Sequence, residues 1–455
     1  MTNPVYQTVI VGGGFTGLFT ALHLSHEHYP RSVILIEQES RFSFKPLLYE
    51  YCTGEMDAEE VWPPYEELLK GSGVIFVQDA VGSIDLHQRE VRVTSGTSYN
   101  YSNLVLALGS VTGYSGVEGA KEYALPLRTG EDALAIDKKL HQCLQLASKT
   151  QDPEQRRRLL TVVVIGGGPS GIEMACTLAN LLPNWYSALG GNLQEIRVVL
   201  LNHGKELLKG DVNTHLRPVA LEALQKRGVE LILGAAATAI RPDSVEYTRD
   251  GKSETLSAST VIWTAGTAAN PLIKDLPIPQ EHRDKHGRLQ VTPTLQLLDF
   301  SEVFAAGDCA FTKENPQPPL AQVAYQQAAA IAFNLRALAL GHDLKSAHVH
   351  LRGTLMKLGI EESVASIFDR YEIKGEIGHL IRQATYLEML PTPIHDFNVT
   401  KEWLNDEIIH RYINSDDGTK TAVRAIEVVG GVVVTALVAR KLLQMVSNDD
   451  KNHKS

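Results

Sequence analysis

Two glycine-rich segments of the chain have the spacing that binds the pyrophosphate of a dinucleotide. They are 12–17 (GGGFTG) and 166–171 (GGGPSG), and each follows an apolar, β-branched run that predicts a strand. In this motif the first glycine permits a tight turn, the second lets the backbone approach the pyrophosphate, and the third lets helix and strand pack closely. Two such sites indicate two dinucleotides, and the simplest pair is a flavin and a nicotinamide. The predicted cofactor-binding glycines are Gly12, Gly14, Gly17, Gly166, Gly168 and Gly171.

The residue that ends the second strand differs between the two units. In the first unit it is Glu37, and an acid at this position can bind a ribose hydroxyl. In the second unit it is Asn202, which removes the repulsion that a carboxylate exerts on the 2′-phosphate of NADPH, while His203 and Lys205 add donor or positive groups. NADPH and NADH both stay open as donors, because no arginine follows this strand closely. Glu173, just inside the second helix, is either near the nicotinamide or an acid stabilised by the helix dipole.

Three further buried strands are predicted to end beside the cofactors. They lie in segments 104–109 (LVLALG), 261–266 (VIWTAG) and 303–308 (VFAAGD). Their predicted cofactor-binding residues are Ala107, Gly109, Gly266, Gly307 and Asp308. In a flavin site Asp308 would lie near the ribityl and pyrophosphate end, and the alternative is a plain Gly-Asp β-turn.

Composition restricts the function classes further. The 455 residues are 44% hydrophobic and 21% charged, which is typical of a folded globular protein with two or three domains. The net charge of −10 argues against nucleic-acid binding, which needs a basic face. The cysteines are far apart in sequence, so no redox-active disulfide is expected, and no metal site is predicted. The first strand begins by Thr8, which leaves no room for a signal or transit peptide in the chain as written.

The order of these elements predicts an α/β protein with two dinucleotide-binding, Rossmann-like domains and a C-terminal membrane-associating region. The FAD-binding domain is predicted to be discontinuous, over residues 1–115 and 267–345. The NAD(P)H-binding domain takes residues 116–266, and the glycine-rich stretch 113–119 looks like a linker. Residues 346–455 form the C-terminal region.

The C-terminal region contains a long apolar segment near residues 423–446. Its uncharged core, residues 428–439, is shorter than the roughly 20 residues that a spanning helix needs, and basic residues flank it. A helix lying in the membrane surface fits this pattern better. The alternative is an ordinary buried helix or strand, and Gly430 and Gly431 weaken a helix by roughly 1 kcal/mol each.

With these motifs the chain resembles the flavoproteins that have two dinucleotide-binding domains. Segment 321–326 (AQVAYQ) is similar to the AQxAxQ segment of type II NAD(P)H:quinone oxidoreductases, which are single-subunit and do not pump protons. Segment 42–50 (FSFKPLLYE), with Lys45, is similar to the stretch beside the flavin in this family. Together with 60–63 (EVWP), it looks most like the branch of cyanobacteria and plastids, which is associated with reducing demethylphylloquinone during vitamin K1 synthesis.

The resemblance implies a mechanism and its residues. FAD would accept a hydride from NADPH or NADH on one face of its ring and pass electrons to a membrane naphthoquinone on the other side. Gln322 and Gln326 lie four residues apart, so they project from one helix face and can bind quinone carbonyls, with Tyr325 between them. A polar helix face that caps the sheet is the alternative. Glu173 completes the predicted catalytic residues. The resemblance also implies peripheral attachment to the reducing, cytoplasmic or stromal, face of a thylakoid or plasma membrane, and a possible homodimer.

Other functions are weighed against this interpretation. A respiratory-type dehydrogenase that reduces plastoquinone or menaquinone is the main alternative. A flavin disulfide reductase lacks its CxxxxC motif here, and a sulfide:quinone reductase would need a catalytic cysteine beyond Cys309. A soluble ferredoxin reductase remains a further alternative. A non-catalytic redox sensor would not need the second glycine motif.

Overall fold

The computed structural model of the protein describes residues 7–27, 29–209, 216–351, 353–360, 363–367, 371–374 and 391. The predicted membrane-associating segment 423–446 lies outside these residues. In the part of the chain so described, no helix is both long enough and apolar enough to cross a membrane.

The strands and helices alternate along most of the described chain. The strands are β1 (Gln7–Val11), β2 (Ser32–Glu37), β3 (Ile75–Gln78), β4 (Val81–Asp85), β5 (Glu90–Val93), β6 (Ser98–Asn100), β7 (Asn103–Leu106), β8 (Ser110–Thr112), β9 (Leu125–Pro126), β10 (Thr161–Ile165), β11 (Arg197–Asn202), β12 (Glu230–Leu233), β13 (Ala235–Arg241), β14 (Ser244–Arg249), β15 (Lys252–Ser257), β16 (Thr260–Trp263), β17 (Thr267–Ala269), β18 (Leu289–Val291), β19 (Val303–Ala305), β20 (Ala310–Thr312), β21 (Gly353–Lys357), β22 (Ser363–Ile367) and β23 (Tyr371–Lys374). The α-helices are α1 (Phe15–His26), α2 (Leu48–Cys52), α3 (Ala58–Val61), α4 (Tyr65–Leu68), α5 (Ala120–Tyr123), α6 (Gly130–Lys149), α7 (Pro153–Leu159), α8 (Pro169–Ala188), α9 (Arg217–Lys226), α10 (Pro271–Lys274) and α11 (Ala321–Leu340). Single 3-10 turns lie at Lys45–Leu47, Leu193–Glu195, Gln280–His282 and Gly307–Cys309.

The first parallel sheet has the strand order β19-β7-β1-β2-β3. Its central strand β1 is almost wholly buried, as its run of β-branched residues predicts. Val9 pairs with Ile34 on one side and with Leu104 on the other. Helices α1 and α11 pack against each other beside this sheet, so α11, far along the chain, belongs to the first nucleotide-binding unit.

The second parallel sheet repeats this arrangement with the order β12-β11-β10-β16-β9. Val163 of the fully buried β10 pairs with Val199 and with Val261. Both sheets place a glycine turn and a helix after the central strand, and the predicted α/β class with two Rossmann-like units is confirmed. The limits predicted for the domains, residues 1–115 and 267–345 against 116–266, stay predictions.

Antiparallel elements complete the described structure. Strands β8 and β17 pair where the chain passes between the two parallel sheets, with Thr112 opposite Thr267. Two three-stranded sheets, β4-β5-β6 and β13-β14-β15, flank them. A third, β21-β22-β23, packs against α8, and its residues Met356 and Val364 are buried in the core of the second unit. The C-terminal sheet is therefore fixed to the helix that follows the second glycine turn.

Candidate active site

The first glycine turn is shaped by close backbone contacts on one side and by open space on the other. A Cβ atom on Gly12, whose φ is +99°, would lie 2.4 Å from the carbonyl oxygen of Ala107. A Cβ on Gly17 would lie 1.8 Å from the oxygen of Gly12. A Cβ on Gly14 would meet no atom within 4 Å, and no side chain caps α1 at this residue. The uncapped end of α1 is thus open to an anion, as a pyrophosphate site requires.

Glu37 lies beside this turn, at the end of β2. Its Oε2 accepts a hydrogen bond from the backbone nitrogen of Gly13 at 2.6 Å, and its Oε1 accepts one from Gln38 at 2.8 Å. The Tyr65 hydroxyl donates to the oxygen of Gly13 at 2.8 Å. Burial raises the pKa of Tyr65 well above its usual value, so this hydroxyl stays protonated. The sequence analysis missed Tyr65, because it lies on a short helix far along the chain.

Asp308 takes part in a chain of polar contacts with Ser110 and Arg128. Ser110 Oγ donates to Asp308 Oδ2 at 2.9 Å, and Arg128 Nη2 donates to the Ser110 carbonyl at 2.6 Å. Burial lowers the pKa of Arg128, against the opposing effect of Asp308. Gly307, with φ +71°, donates its backbone nitrogen to Gln327 Oε1 at 2.8 Å. The sequence analysis missed Arg128 and Gln327, although Gln327 directly follows the AQVAYQ segment.

Lys45 lies near Arg128, Asp308 and Glu37, whose charges all act on its ammonium. Its side chain is accessible to solvent, yet protein surrounds it closely, as expected of a residue lining an internal cleft. That crowding, and then the repulsion from Arg128, lower the pKa of its ammonium, whereas Asp308 and Glu37 raise it. Gly109, with φ +59°, has no atom within 4 Å of its Cβ position. The cations Lys45 and Arg128 and the open Cβ positions of Gly14 and Gly109 therefore offer charge and space that suit a flavin dinucleotide.

The second glycine turn reproduces the first. A Cβ on Gly166, at φ +123°, would lie 2.9 Å from the Ala265 backbone, and a Cβ on Gly171 would lie 1.9 Å from the oxygen of Gly166. The Cβ position of Gly168 faces open space, and this residue too begins its helix without a side-chain cap. Gly266 has a different environment. Its φ is +72°, and its carbonyl accepts a hydrogen bond from the nitrogen of Gly113 at 3.3 Å where the two units join.

A cavity of about 530 Å³ opens between this turn and the loop after β11. Asn202 lines it, but its amide is occupied: its oxygen accepts from the Gly167 nitrogen, and its nitrogen donates to the carbonyls of Gly204 and Glu206. The basic residues His203, Lys205 and Lys209 also line the cavity. Glu206 forms an ion pair with Arg217 at 3.1 Å. The cavity is therefore bordered by the ammonium groups of Lys205 and Lys209, and its acidic lining residue, Glu206, is already paired.

Glu173 is buried in the second turn of α8. Its Oε1 accepts a hydrogen bond from the backbone nitrogen of Lys357 at 3.1 Å. The Lys357 ammonium in turn forms ion pairs with Glu50, at 3.1 Å, and with Glu55. The sequence analysis did not identify Lys357, Glu50 or Glu55 as a group, since they come from segments about three hundred residues apart.

The residues of the AQVAYQ segment lie on the first turns of α11, as predicted. The ring of Tyr325 packs edge-on against Phe19, with centroids 4.8 Å apart. The amide of Gln326 binds the backbone of His350 twice, at 3.0 Å each: its oxygen accepts from the nitrogen and its nitrogen donates to the carbonyl. Gln322 lies one turn before Gln326 and accepts from it through its backbone oxygen. The two glutamines share a helix face, and Gln326 also holds the segment after α11.

All four cysteines are buried, and none of them forms a disulfide. Burial raises the pKa of Cys309 to about 11 and raises that of Cys52 further. These thiols therefore stay protonated near neutral pH, which disfavours the disulfide chemistry of flavin reductases. Among the described residues, no group of side chains could hold a metal ion.

Comparison with known proteins agrees with this geometry. The family model for pyridine nucleotide-disulphide oxidoreductases matches residues 6–328. The demethylphylloquinone reductase NdbB of a Synechocystis species is 34% identical over 415 residues, covering 89% of this chain and 97% of the relative. An alternative NAD(P)H-ubiquinone oxidoreductase C1 of Arabidopsis thaliana is 31% identical, covering 87% and 80%.

A bacterial relative and a solved structure extend the likeness. The type II NADH:quinone oxidoreductase Ndh of Mycobacterium tuberculosis is 32% identical, covering 73% of this chain and 72% of the relative. The fold is similar to that of NDH2 from Plasmodium falciparum in complex with NADH, with a TM-score of 0.78, 18% identity, and coverage of 89% and 98%. The chain therefore belongs to the pyridine nucleotide-disulphide oxidoreductase family and, within it, to the type II NAD(P)H:quinone oxidoreductases.

Proposed function

We propose that the protein is an FAD-dependent NAD(P)H:quinone oxidoreductase that does not pump protons and that reduces a membrane naphthoquinone such as demethylphylloquinone. The observation that carries the proposal is the pair of glycine turns, each open at its middle glycine, Gly14 or Gly168. Two separate dinucleotide sites suit an enzyme that takes a hydride from one nucleotide and holds electrons on the other. The quinone class is supported by the name of the Synechocystis relative.

The residues of the first unit have the chemistry to hold FAD, which supplies the two-electron redox chemistry when bound. The open end of α1 at Gly14 faces the pyrophosphate, and Glu37 accepts hydrogen bonds from ribose hydroxyls. Lys45 and Arg128 would offset the negative charge of the phosphates. Asp308, held by Ser110, accepts hydrogen bonds at the ribityl end.

The cavity beside the second glycine turn suits NADPH as well as NADH. No carboxylate ends β11, and Asn202 keeps the loop closed around the turn rather than presenting an acid to the ribose. His203, Lys205 and Lys209 supply positive or donor groups for a 2′-phosphate. Glu173, at the same end of α8 as this turn, helps to position the nicotinamide end of the nucleotide.

The start of α11 forms the quinone side of the proposed site. Gln322 and Tyr325 donate hydrogen bonds to the quinone carbonyls, and the Tyr325 ring offers an apolar face for the quinone ring. Gln326 contributes through its hold on the segment around His350. Hydride donor and quinone then approach from different sides, which lets the two half-reactions be measured separately.

The enzyme meets its quinone by lying on the reducing face of a thylakoid or plasma membrane, attached through residues 423–446, with a homodimer as the proposed assembly. The support is the apolar sequence of this segment and the basic residues that flank it. A chain deleted from residue 423 is expected to keep its FAD and to lose flotation with anionic lipid vesicles. A deleted chain that still floats would refute attachment through this segment.

The test of the proposed function is NAD(P)H oxidation by purified yellow protein with menadione, a soluble naphthoquinone. We expect turnover that depends on the quinone, and little turnover with NAD(P)H alone. A short-chain plastoquinone analogue run in parallel distinguishes the respiratory-type alternative. A protein whose flavin is reduced by NAD(P)H but is not reoxidised by any quinone would favour the redox sensor instead.

A further inference from the structure

The side chain of Lys357 is the starting point, because only 1% of it is exposed. An ammonium removed from water to this degree needs compensating charge. Glu50, itself 7% exposed, lies 3.1 Å from its Nζ, and Glu55 pairs with the same atom. The ring of Tyr49 lies 5.8 Å away on the face where a cation is attracted. Lys357 thus ends its strand inside the protein rather than at its surface.

The Lys357 ammonium connects β21 to the segment that follows Lys45. Glu50 is in α2, which directly follows the 3-10 turn that begins at Lys45, and Glu55 follows that helix. The two acids are joined by a backbone hydrogen bond, from the Glu55 nitrogen to the Glu50 oxygen, at 2.9 Å. The position of α2 relative to the C-terminal sheet is therefore set by charge at one buried point.

The backbone of the same residue connects to the other nucleotide-binding unit. The Lys357 nitrogen donates to Glu173 Oε1 at 3.1 Å, and α8, which carries Glu173, also contacts α2 directly. One residue therefore binds a carboxylate from each unit, Glu50 through its side chain and Glu173 through its amide. Neither hydrogen bond involves a group that is chemically changed in the proposed reaction.

We propose that Lys357 is a positioning residue for hydride transfer: by fixing α2 and Glu173 together, it sets the spacing of the two units where the nicotinamide must meet the flavin. Hydride transfer needs reacting atoms about 3–3.5 Å apart, so a displacement of about 1 Å is costly. The inference rests on the proposed function for the two nucleotide sites but not on the identity of the quinone.

The experiment compares FAD-loaded, full-length Lys357→Met, Glu50→Gln and the double variant with the wild type. Lys345→Met is the matched control, because Lys345 is exposed and its ammonium lies over the Phe333 ring, 4.6 Å from the centroid. Calorimetry gives the affinity of the oxidised protein for NADP⁺. Stopped-flow absorbance gives the rate of flavin reduction by NADPH and, after dithionite reduction, the rate of reoxidation by menadione.

We expect Lys357→Met to slow flavin reduction by roughly tenfold or more, whether or not NADP⁺ binding weakens, and to leave reoxidation within about twofold. Flavin reduction in the double variant should be no slower than in Lys357→Met, because both substitutions break the same contact between Lys357 and Glu50. Equal losses in both half-reactions, or unchanged flavin reduction, would overturn the proposal.

Stranding Glu50 could prevent Lys357→Met from folding, and the double variant, which leaves only the partly exposed Glu55 without its cation, then takes its place. Wild-type flavin reduction in that double variant would equally overturn the proposal. A wild-type protein that reduces no quinone would refute the proposed function alone, since NADP⁺ affinity and flavin reduction involve no quinone.

Discussion

The side-chain oxygen of Asn202 accepts a hydrogen bond from the backbone nitrogen of Gly167 at 2.9 Å. Glu37 makes the same contact with Gly13, at 2.6 Å, in the first unit. The two strand ends thus use one geometry with different charge. The difference matters because the ligand of the second site carries either a ribose hydroxyl or a 2′-phosphate at this position.

Asn202→Asp is expected to shift the donor preference toward NADH. The new carboxylate can keep the bond to Gly167, but it repels a 2′-phosphate and loses the donations to Gly204 and Glu206. We expect the ratio of kcat/KM for NADPH over NADH to fall at least about tenfold, which corresponds to about 1.4 kcal/mol. Asn192→Asp is the control, because Asn192 is exposed and caps a 3-10 turn. An unchanged ratio in Asn202→Asp would show that the ribose binds elsewhere.

Lys205→Ala and Lys209→Ala are expected to raise the KM for NADPH by about tenfold or more and to change the KM for NADH little. Both residues line the cavity, and a lost contact to a charged phosphate is worth about 1.5–3 kcal/mol when the contact is direct. Steady-state kinetics at two salt concentrations would check this, since screening should reduce the difference. The exposed Lys252→Ala should behave as wild type. Equal rises for both donors would contradict a role at the 2′-phosphate.

Gly14→Val and Gly168→Val should separate the two dinucleotide sites. Each glycine has an extended backbone, at φ −64° and −82°, and an open Cβ position, so the fold should accept the substitution. We expect Gly14→Val to purify with little FAD and Gly168→Val to stay yellow but bind NADP⁺ poorly. Flavin absorbance per chain and calorimetry would measure both. Each variant serves as the other's control, and a fully flavinated Gly14→Val would refute the first assignment.

The sequence predicted the structural elements that depend on short local patterns. The glycine turns, the strands around them and the start of α11 follow from short motifs, and the structure confirms these elements. The sequence could not predict contacts between distant segments, such as Lys357 with Glu50 or Arg128 with Ser110. A single lysine or arginine forms no periodic pattern in the sequence, and its partner can be identified only from the folded structure. For the same reason the bond between Gln326 and His350 was not foreseen.

The buried position of His23 predicts that the protein loses stability on acidification. Burial lowers its pKa from 6.5, and its Nε2 is buried without a hydrogen-bond partner. Because the folded pKa is depressed, the unfolded chain binds the proton more tightly, and stability is lost as pH falls from 6.5 through the folded pKa. His23→Leu should therefore flatten the fall of Tm between pH 7 and pH 5, whereas the exposed His342→Gln should not. An unaltered slope in His23→Leu would contradict this assignment.

The two roles possible for the start of α11 can be separated with Tyr325→Phe and Gln326→Ala. Tyr325→Phe keeps the ring that packs on Phe19 and removes the hydroxyl. If that hydroxyl donates to a quinone carbonyl, reoxidation of the reduced flavin by menadione should slow several-fold, since one such bond is worth roughly 0.5–1.5 kcal/mol.

Gln326→Ala removes both bonds to His350, so it should lower Tm as well as slow reoxidation. Flavin reduction by NADPH should be nearly unchanged in both variants, because the donor approaches from the other nucleotide-binding unit. Stopped-flow measurement of the two half-reactions, with Gln317→Ala on the preceding loop as control, would decide. If either variant slows flavin reduction and spares reoxidation, this helix face belongs to the nicotinamide site, and the quinone must bind elsewhere.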